Sequence, residues 1–339
     1  MSAPVTIHML AQRLGVSPMT VSYALRGKGR IGRQTREKIL QTAQELGYRP
    51  NASARATRTG RFGCIGLVIS ADQNFSYTPY PLMWGIESAA EQVSSHLTLA
   101  RMPVDASGQQ QAALPKFLRE GLVDGLLMNY THAIPDGLQQ TLAASRTPTV
   151  WINCKLPNDC VYPDDRGGAR LLTEQYLGLG HKRIAFAIYE RGSKDAAQDH
   201  YSVSERYAGY CEAMQQAGLQ PRLIQHTQTL PKSEWLDYTR QWMRHEDRPT
   251  AVIAYRTSTA RPIRMAAVEA GLRSEVAVAT FSEWEAEDES IGIKSILIPF
   301  YEVGVAAVQM LRRKILNPTV MQAALAVPYA TPGTDSGVV

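Results

Sequence analysis

Met19, Ser22, Tyr23 and Arg26 recur three and four residues apart, so a helix would align them along one exposed strip, with Pro18 at its head. The centre of the strip is uncharged, and Lys28, Arg30, Arg33 and Arg36 stand along its borders. Uncharged groups framed by cations suit a surface that touches base edges in a duplex groove while its margins neutralise phosphates. The alternative is a small helical bundle whose charges merely solvate its surface, but a solvated face would mix both signs.

Three short helices are needed to hold that strip. Thr6 can cap the first, with Ile7, Leu10, Ala11 and Leu14 on one apolar face and Gly15 as a left-handed stop. Ser17 can cap the second, with Pro18 at its first position and Val16 and Val21 placed as a hydrophobic staple. Val21, Ala24 and Leu25 then face inward, which turns Met19, Ser22, Tyr23 and Arg26 outward. A third helix is expected from Thr35, with Ile39, Ala43 and Leu46 inward and Gly47 as its stop. The tight turn between the first two makes this a helix-turn-helix, whose second helix enters the major groove. Gly27-Lys28-Gly29-Arg30-Ile31-Gly32 has the spacing of a dinucleotide fingerprint, but it follows a helix where that motif needs a strand.

Charge is distributed to match. Residues 1–61 hold 11 Lys and Arg against 2 acids, a local charge of +9, and the other residues hold 25 against 29, a charge of −4. A basic head on a mildly acidic body fits a polyanion-binding module joined to something else. At 339 residues, 44% hydrophobic and 20% charged, the chain has the length of two or three domains and the mixture to build cores.

The residues now carry a resemblance. Thr6-Ile7 through Ala11, Gly15-Val16-Ser17, Thr20-Val21-Ser22, Thr35-Arg36-Glu37 and Leu46 through Asn51 together resemble the head of the lactose/galactose repressor (LacI/GalR) family, without a gap over about fifty-five residues. The resemblance implies a dimeric bacterial transcription regulator on a near-palindromic operator, with base readout at Pro18, Met19 and Tyr23. It places Thr6, Ser17, Ser22, Arg26, Arg30, Thr35, Tyr48, Asn51 and Ala54 among the residues that contact DNA or position the head. Tyr23 departs from the family's usual arginine, so guanine preference there should be weaker or different. Residues 50–61 correspond to a hinge helix that relatives fold on DNA, wedging a leucine into the minor groove. The matching residue here is Thr57, with Ser53 at another usually apolar position, so the kink should be reduced.

From Phe62 onward apolar runs alternate with amphipathic helical patterns, which implies parallel sheets covered on both faces. Strands are expected at 65–69, 97–102, 123–128, 149–153, 183–188, 222–227, 251–254, 276–281 and 295–297, and helices at 82–93, 112–120, 166–179, 205–217, 235–244, 263–270 and 301–315. Body motifs similar to the family's continue: Asp124-Gly125-Leu126, Gly168-Ala169-Arg170, Leu177 through Ile184, and Ser204-x-Arg206-x-x-Gly209. The expected architecture is an all-α helix-turn-helix head plus an α/β body of two doubly wound parallel-sheet lobes, periplasmic-binding-protein-like. The head is expected at 1–49, the hinge at 50–61, one lobe at 62–158 and 294–318, and the other at 159–293 and 319–339, with crossings near 155–162, 284–293 and 317–323.

Ligands of open α/β sheets bind beyond the carboxyl ends of strands. The resemblance matches Arg206 to the family arginine that grips sugar hydroxyls or a carboxylate; the alternative is a simple pair with a nearby acid. Tyr77, Tyr80 and Asn129 are further candidates, each equally suited to a rim or core role, and Asp164 and Asp165 are read as structural. Where relatives carry ligand-binding Asn and Asp, this chain has Arg256 and Ser282. Two arginines without those acceptors favour an anionic effector over a neutral sugar; a pocket that has lost its ligand is the alternative.

No nucleophile elbow, Walker loop or zinc-protease spacing occurs, and Cys64, Cys154, Cys160 and Cys211 have no metal-ligand spacing, so the expectation is a non-enzyme without cofactor or metal. No 18-residue apolar run or leader is found, which points to a cytoplasmic protein off the membrane. A solute-binding protein would share the body but has no use for the basic head. The expected partners are double-stranded operator DNA, a small-molecule effector and a second copy of the chain. A Thr57→Leu variant is expected to bend operator DNA more than the unaltered protein in a circular-permutation gel assay; equal bending angles would contradict the reduced kink.

Overall fold

The hydroxyl of Thr6 accepts a hydrogen bond from the Met9 N–H at 3.3 Å and starts α1 (Ile7–Leu14). Gly15, at φ 65°, ends it in a conformation that costs glycine little. Two residues later Ser17 Oγ accepts from the Thr20 N–H at 3.0 Å and caps α2 (Pro18–Leu25), with the proline at the first turn. α3 (Arg33–Glu45) begins two residues before the expected Thr35. Gly32, with no side chain to cap, turns the chain, and the exposed Arg33 meets Glu37 one turn on at 2.8 Å. Leu10, Ala11, Val21, Ala24, Ile39 and Ala43 are buried as one cluster, with Val16, Leu25, Leu46 and Tyr48 packed around it. The Gly27–Gly32 stretch links α2 to α3, and the first strand comes only at Cys64, so it lies in no β-α-β unit.

The structure is a computed structural model that describes residues 5–49, 60–70, 78–103, 115–130, 134, 137–189, 199–226, 230–284 and 289–330. It separates into one unit up to Phe62 and a second from Gly63 onward. In the second unit, β1 (Cys64–Ile69), β2 (His96–Arg101), β3 (Gly125–Asn129), β4 (Thr149–Ile152), β5 (Cys160–Pro163) and β11 (Leu325–Val327) form a parallel sheet in the order β11-β5-β4-β3-β1-β2. A second parallel sheet holds β6 (Ile184–Ala187), β7 (Arg222–Ile224), β8 (Ala251–Ala254), β9 (Ala277–Ser282) and β10 (Ile293–Leu297), ordered β10-β9-β8-β6-β7. The central strands β3, β6 and β8 are buried and apolar along most of their length, as two covered faces require. With the first sheet go α4 (Tyr80–Gln92), α5 (Lys116–Arg119), α6 (Leu138–Ser145) and α11 (Phe300–Leu316). With the second go α7 (Asp165–Gly178), α8 (Tyr201–Gln216), α9 (Trp235–Met243) and α10 (Thr257–Glu269).

Three expectations about the body need correcting. β5 and β11 were not anticipated: four and three residues, one ending in Pro163, are too short to carry a period. They join the first sheet although β5 follows the boundary drawn at 158 and β11 the one drawn at 318, and β10 pairs with β9 in the second sheet although it was assigned to the first lobe. The chain therefore passes to the second sheet between Pro163 and Asp165, returns between Leu297 and Phe300, and leaves the first sheet for the last time after Val327. α10 starts at Thr257, well before the expected Ile263, and carries Pro262 inside its second turn.

Glycines set the closest helix contacts. A Cβ on Gly209 of α8 would overlap the carbonyl oxygen of Arg166 in α7, and one on Gly304 of α11 would lie 2.6 Å from the Leu82 carbonyl oxygen in α4. The Ser204-x-Arg206-x-x-Gly209 spacing therefore has a packing cause. A Gly209→Ala variant should lose about 1–3 kcal/mol of stability in urea unfolding, because backbone cannot yield as a side chain can; an unchanged midpoint would contradict this.

Candidate functional site

On the first unit, Met19 is 64% exposed and Tyr23 39% exposed, and Pro18 and Arg26 are also at the surface. With Ile7 and His8 of α1 they line a concavity of about 460 Å³. Ser22 was expected outward but is buried, 7% exposed: its hydroxyl and carbonyl accept from Arg26 Nη2 and Nε at 2.9 and 3.0 Å. The Arg26 guanidinium lies 5.4 Å from the centre of the Tyr23 ring. That ring rests against Gly29 so closely that a Cβ there would be 3.2 Å from Cδ2. Thr6 and Ser17 are spent as helix caps, Arg30 and Thr35 are exposed, and Tyr48 is half-buried at the edge of the core. Arg36, expected on the phosphate border, turns back to the carbonyls of Lys28 and Gly29 at 3.4 and 3.3 Å and ties down the α2–α3 loop. Asn51, Ala54 and Thr57 lie outside the described residues, as does Tyr77.

In the second unit the expected ligand arginine is already occupied. Arg206 is 5% exposed, and its Nε donates to Asp165 Oδ1 at 2.6 Å, its Nη1 to the Tyr255 carbonyl at 3.0 Å and its Nη2 to the Tyr329 hydroxyl at 3.4 Å. Tyr329 in turn donates to the same Asp165 oxygen at 2.8 Å. The rings of Phe281 and Tyr255 stand 4.2 and 5.1 Å from the guanidinium carbon. This is the simple acid pair, made with an aspartate read as structural. The neighbouring Asp164 is indeed a helix cap, accepting from the Gly167 N–H at 3.0 Å. Burial raises the Tyr329 hydroxyl well above the ordinary tyrosine value, so it stays protonated.

The other expected residues divide. Asn129, at the end of β3, is buried and donates to Thr78 Oγ1 at 3.2 Å. Ser282 is drawn into a local turn, donating to the Trp284 carbonyl at 2.9 Å. Arg256 is exposed with its guanidinium 5.2 Å from the Tyr255 ring. Tyr80, the first residue of the first-sheet helix α4, stacks on Trp284, just past β9 of the second sheet, with centroids 5.4 Å apart and planes at 15°. Burial pushes the Glu283 carboxyl up to about 7. Trp284, Tyr255, Tyr329 and His200 were missed, although Tyr255 and Trp284 follow strands in the way that flags such sites.

His200 joins the two sheets. Its Nδ1 lies 2.8 Å from Ser202 Oγ and accepts the Ser202 N–H at 3.4 Å, which leaves Nε2–H to donate to the Asn153 carbonyl just past β4 at 2.8 Å. Ser202 Oγ lies 2.8 Å from the Tyr255 hydroxyl, so the chain of polar contacts reaches Arg206 through the Tyr255 carbonyl. Among the described residues no group of His, Cys, Asp and Glu could hold a metal ion, and no helix is long and apolar enough to cross a membrane.

Comparison with known proteins agrees with this division. Residues 6–51 match the model of bacterial regulatory proteins, lacI family, and residues 173–333 match a periplasmic binding protein-like domain. The chain is 27% identical over 343 residues to the maltose regulon regulatory protein MalI of Escherichia coli (strain K12), covering 96% of each. It is 24% identical over 334 residues to catabolite control protein A of Priestia megaterium, covering 96% of this chain and 97% of the relative. A crystal structure of the lac repressor dimer bound to operator and the anti-inducer ONPF shares the fold with a TM-score of 0.69, at 22% identity over 97% of both chains.

Burial lowers the His200 imidazole from 6.5 to about 4; the Asn153 carbonyl and Asp165 oppose this, and Arg206 and Arg256 add to it. The unfolded chain takes up that proton first as pH falls, so the stability held by neutral His200 is complete above 6.5 and lost toward 4. Glu283, protonated more readily when folded, acts in the opposite direction up to about 7. The difference between unaltered protein and a His200→Gln variant isolates the histidine. The unaltered protein should lose more stability from pH 7 to 5 in urea unfolding, and parallel losses would contradict the assignment.

Proposed function

This chain belongs to the lacI family of bacterial regulatory proteins and is a DNA-binding transcription regulator, and from that premise we propose that it represses from a near-palindromic operator as a homodimer, with DNA affinity coupled to a small molecule held between its two sheets. The observation that carries this reading is the face of α2: Met19 and Tyr23 exposed beside a shallow concavity, with the basic residues of the head around them. Apolar Pro18 and Met19 suit thymine methyl groups and the Tyr23 hydroxyl a single hydrogen bond. Lys28 and Arg30, both exposed, suit phosphates.

Exposed Met265 and Val268, one turn apart on α10, support self-association, as does the dimeric state of the lac repressor in its operator complex. Self-association in turn supports operator symmetry, since two heads related by a two-fold axis read two half-sites. The work belongs in the cytoplasm, with the DNA. A solute-binding role leaves the head without a use.

For the effector, the exposed Arg256, two residues past β8, is the cation proposed to meet an anionic ligand. An anionic ligand reaching between Arg256 and the Tyr80–Trp284 pair would touch both sheets at once. A ligand that prefers one arrangement of the sheets must change DNA affinity by the factor by which DNA changes its own. Selection from random duplexes at near-physiological salt should enrich a near-palindrome; no enrichment from folded, dimeric protein would overturn the reading. Once an anionic effector is identified, Arg256→Ala should weaken its binding at least tenfold in isothermal titration, and unchanged affinity would remove the anion assignment.

A further inference from the structure

The usual family arginine for reading guanine is absent at Tyr23, yet an arginine occupies the same surface. Arg26 caps the C-terminal end of α2, three residues after Tyr23, and its guanidinium stands 5.4 Å from the Tyr23 ring centre and lines the same concavity. Its side edge is used: Nε donates to the Ser22 carbonyl at 3.0 Å and Nη2 to the Ser22 hydroxyl at 2.9 Å. Among the described residues Nη1 has no hydrogen-bond partner, so the end-on edge, Nη1 with the second hydrogen of Nη2, remains to be engaged. That edge is the fork that matches O6 and N7 of guanine.

We propose that Arg26 is a specificity-determining residue that reads a guanine in each half-site, with Ser22, Tyr23 and Gly29 as its mount. The inference rests on the regulator reading above. Buried Ser22 fixes the guanidinium from one side, and the Tyr23 ring, backed by Gly29, supports it from another. An arginine held in this way loses little freedom on meeting the base, whereas a phosphate contact needs no such mount. Tyr23 then serves as a platform for Arg26 as well as a contact of its own.

The test uses the full-length protein and random-duplex selection. The unaltered protein should enrich guanine at one symmetric pair of positions, and Arg26→Lys, which keeps the charge but not the planar fork, should lose that preference by about ten- to a hundredfold while still binding. Replacing the enriched guanine by 7-deazaguanine, which lacks N7, should weaken the unaltered protein and leave Arg26→Lys nearly unchanged. Tyr23→Ala should reduce the guanine preference in part. Thermal melts confirm that each variant is folded before comparison. If Arg26→Lys leaves the guanine preference intact while Arg26→Ala weakens all sequences equally and lowers the salt slope by about one, Arg26 is a phosphate contact and the proposal is overturned. A recovered site without an Arg26-dependent guanine also overturns it. Failure of the unaltered protein to select any site would instead count against the regulator reading.

Discussion

A guanidinium is costly to bury unless its charge is answered, and Arg206 meets that condition beside Asp165, 2% exposed, at 2.6 Å. The pair joins the starts of α7 and α8, the end of β8 and the last crossing of the chain, through Tyr255 and Tyr329. Around it the backbone is shaped to fit. Gly168 leaves room for the Tyr329 ring, which a Cβ would approach to 2.6 Å, and Gly209 lets α8 lie against α7. His200 extends the polar chain to the first sheet at Asn153. A ligand that reached Arg206 would have to displace Asp165 or Tyr329 and repay the desolvation of whichever group it left bare.

Charge is used differently in the two units. In the body, several cations are answered within the chain: Arg166 by Glu212, Arg240 by Glu269 at 2.7 Å, Arg248 by Glu275 at 3.0 Å and Lys314 by Asp159 at 2.5 Å. Residues 1–61, with 11 basic residues and 2 acids, cannot do this. Holding that excess positive charge together costs free energy through self-repulsion, and a polyanion relieves it. The imbalance is therefore better explained by a partner than by stability. In the proposed reading, affinity falls to the borders of the head and discrimination to the few side chains on the face of α2.

What the sequence discloses depends on how far apart the cooperating residues lie. The caps at Thr6 and Ser17, the stops at Gly15 and Gly47 and the apolar faces of the three head helices are local, and each was readable from within a few residues. Ser22 was placed on the wrong side because it sits at the boundary of the inward face between Val21 and Leu25, where the period alone is ambiguous and Arg26 decides the matter. β5 and β11 escaped because their stability lies in pairing across the chain. Arg206 was recognised as important, but its partners are 41 and 123 residues away and no spacing rule names them. The stacked Tyr80 and Trp284 are likewise a product of the two sheets meeting.

The central claim for the body, that Arg206 belongs to the structure before it belongs to any ligand, is tested most directly by a double-mutant cycle in urea unfolding. Arg206→Met and Asp165→Leu should each cost about 3–5 kcal/mol, since each leaves a buried charge uncompensated. The double variant, with both charges gone, should cost clearly less than the sum, leaving a coupling of at least about 1 kcal/mol. Additive losses would contradict the account and return Arg206 to the ligand.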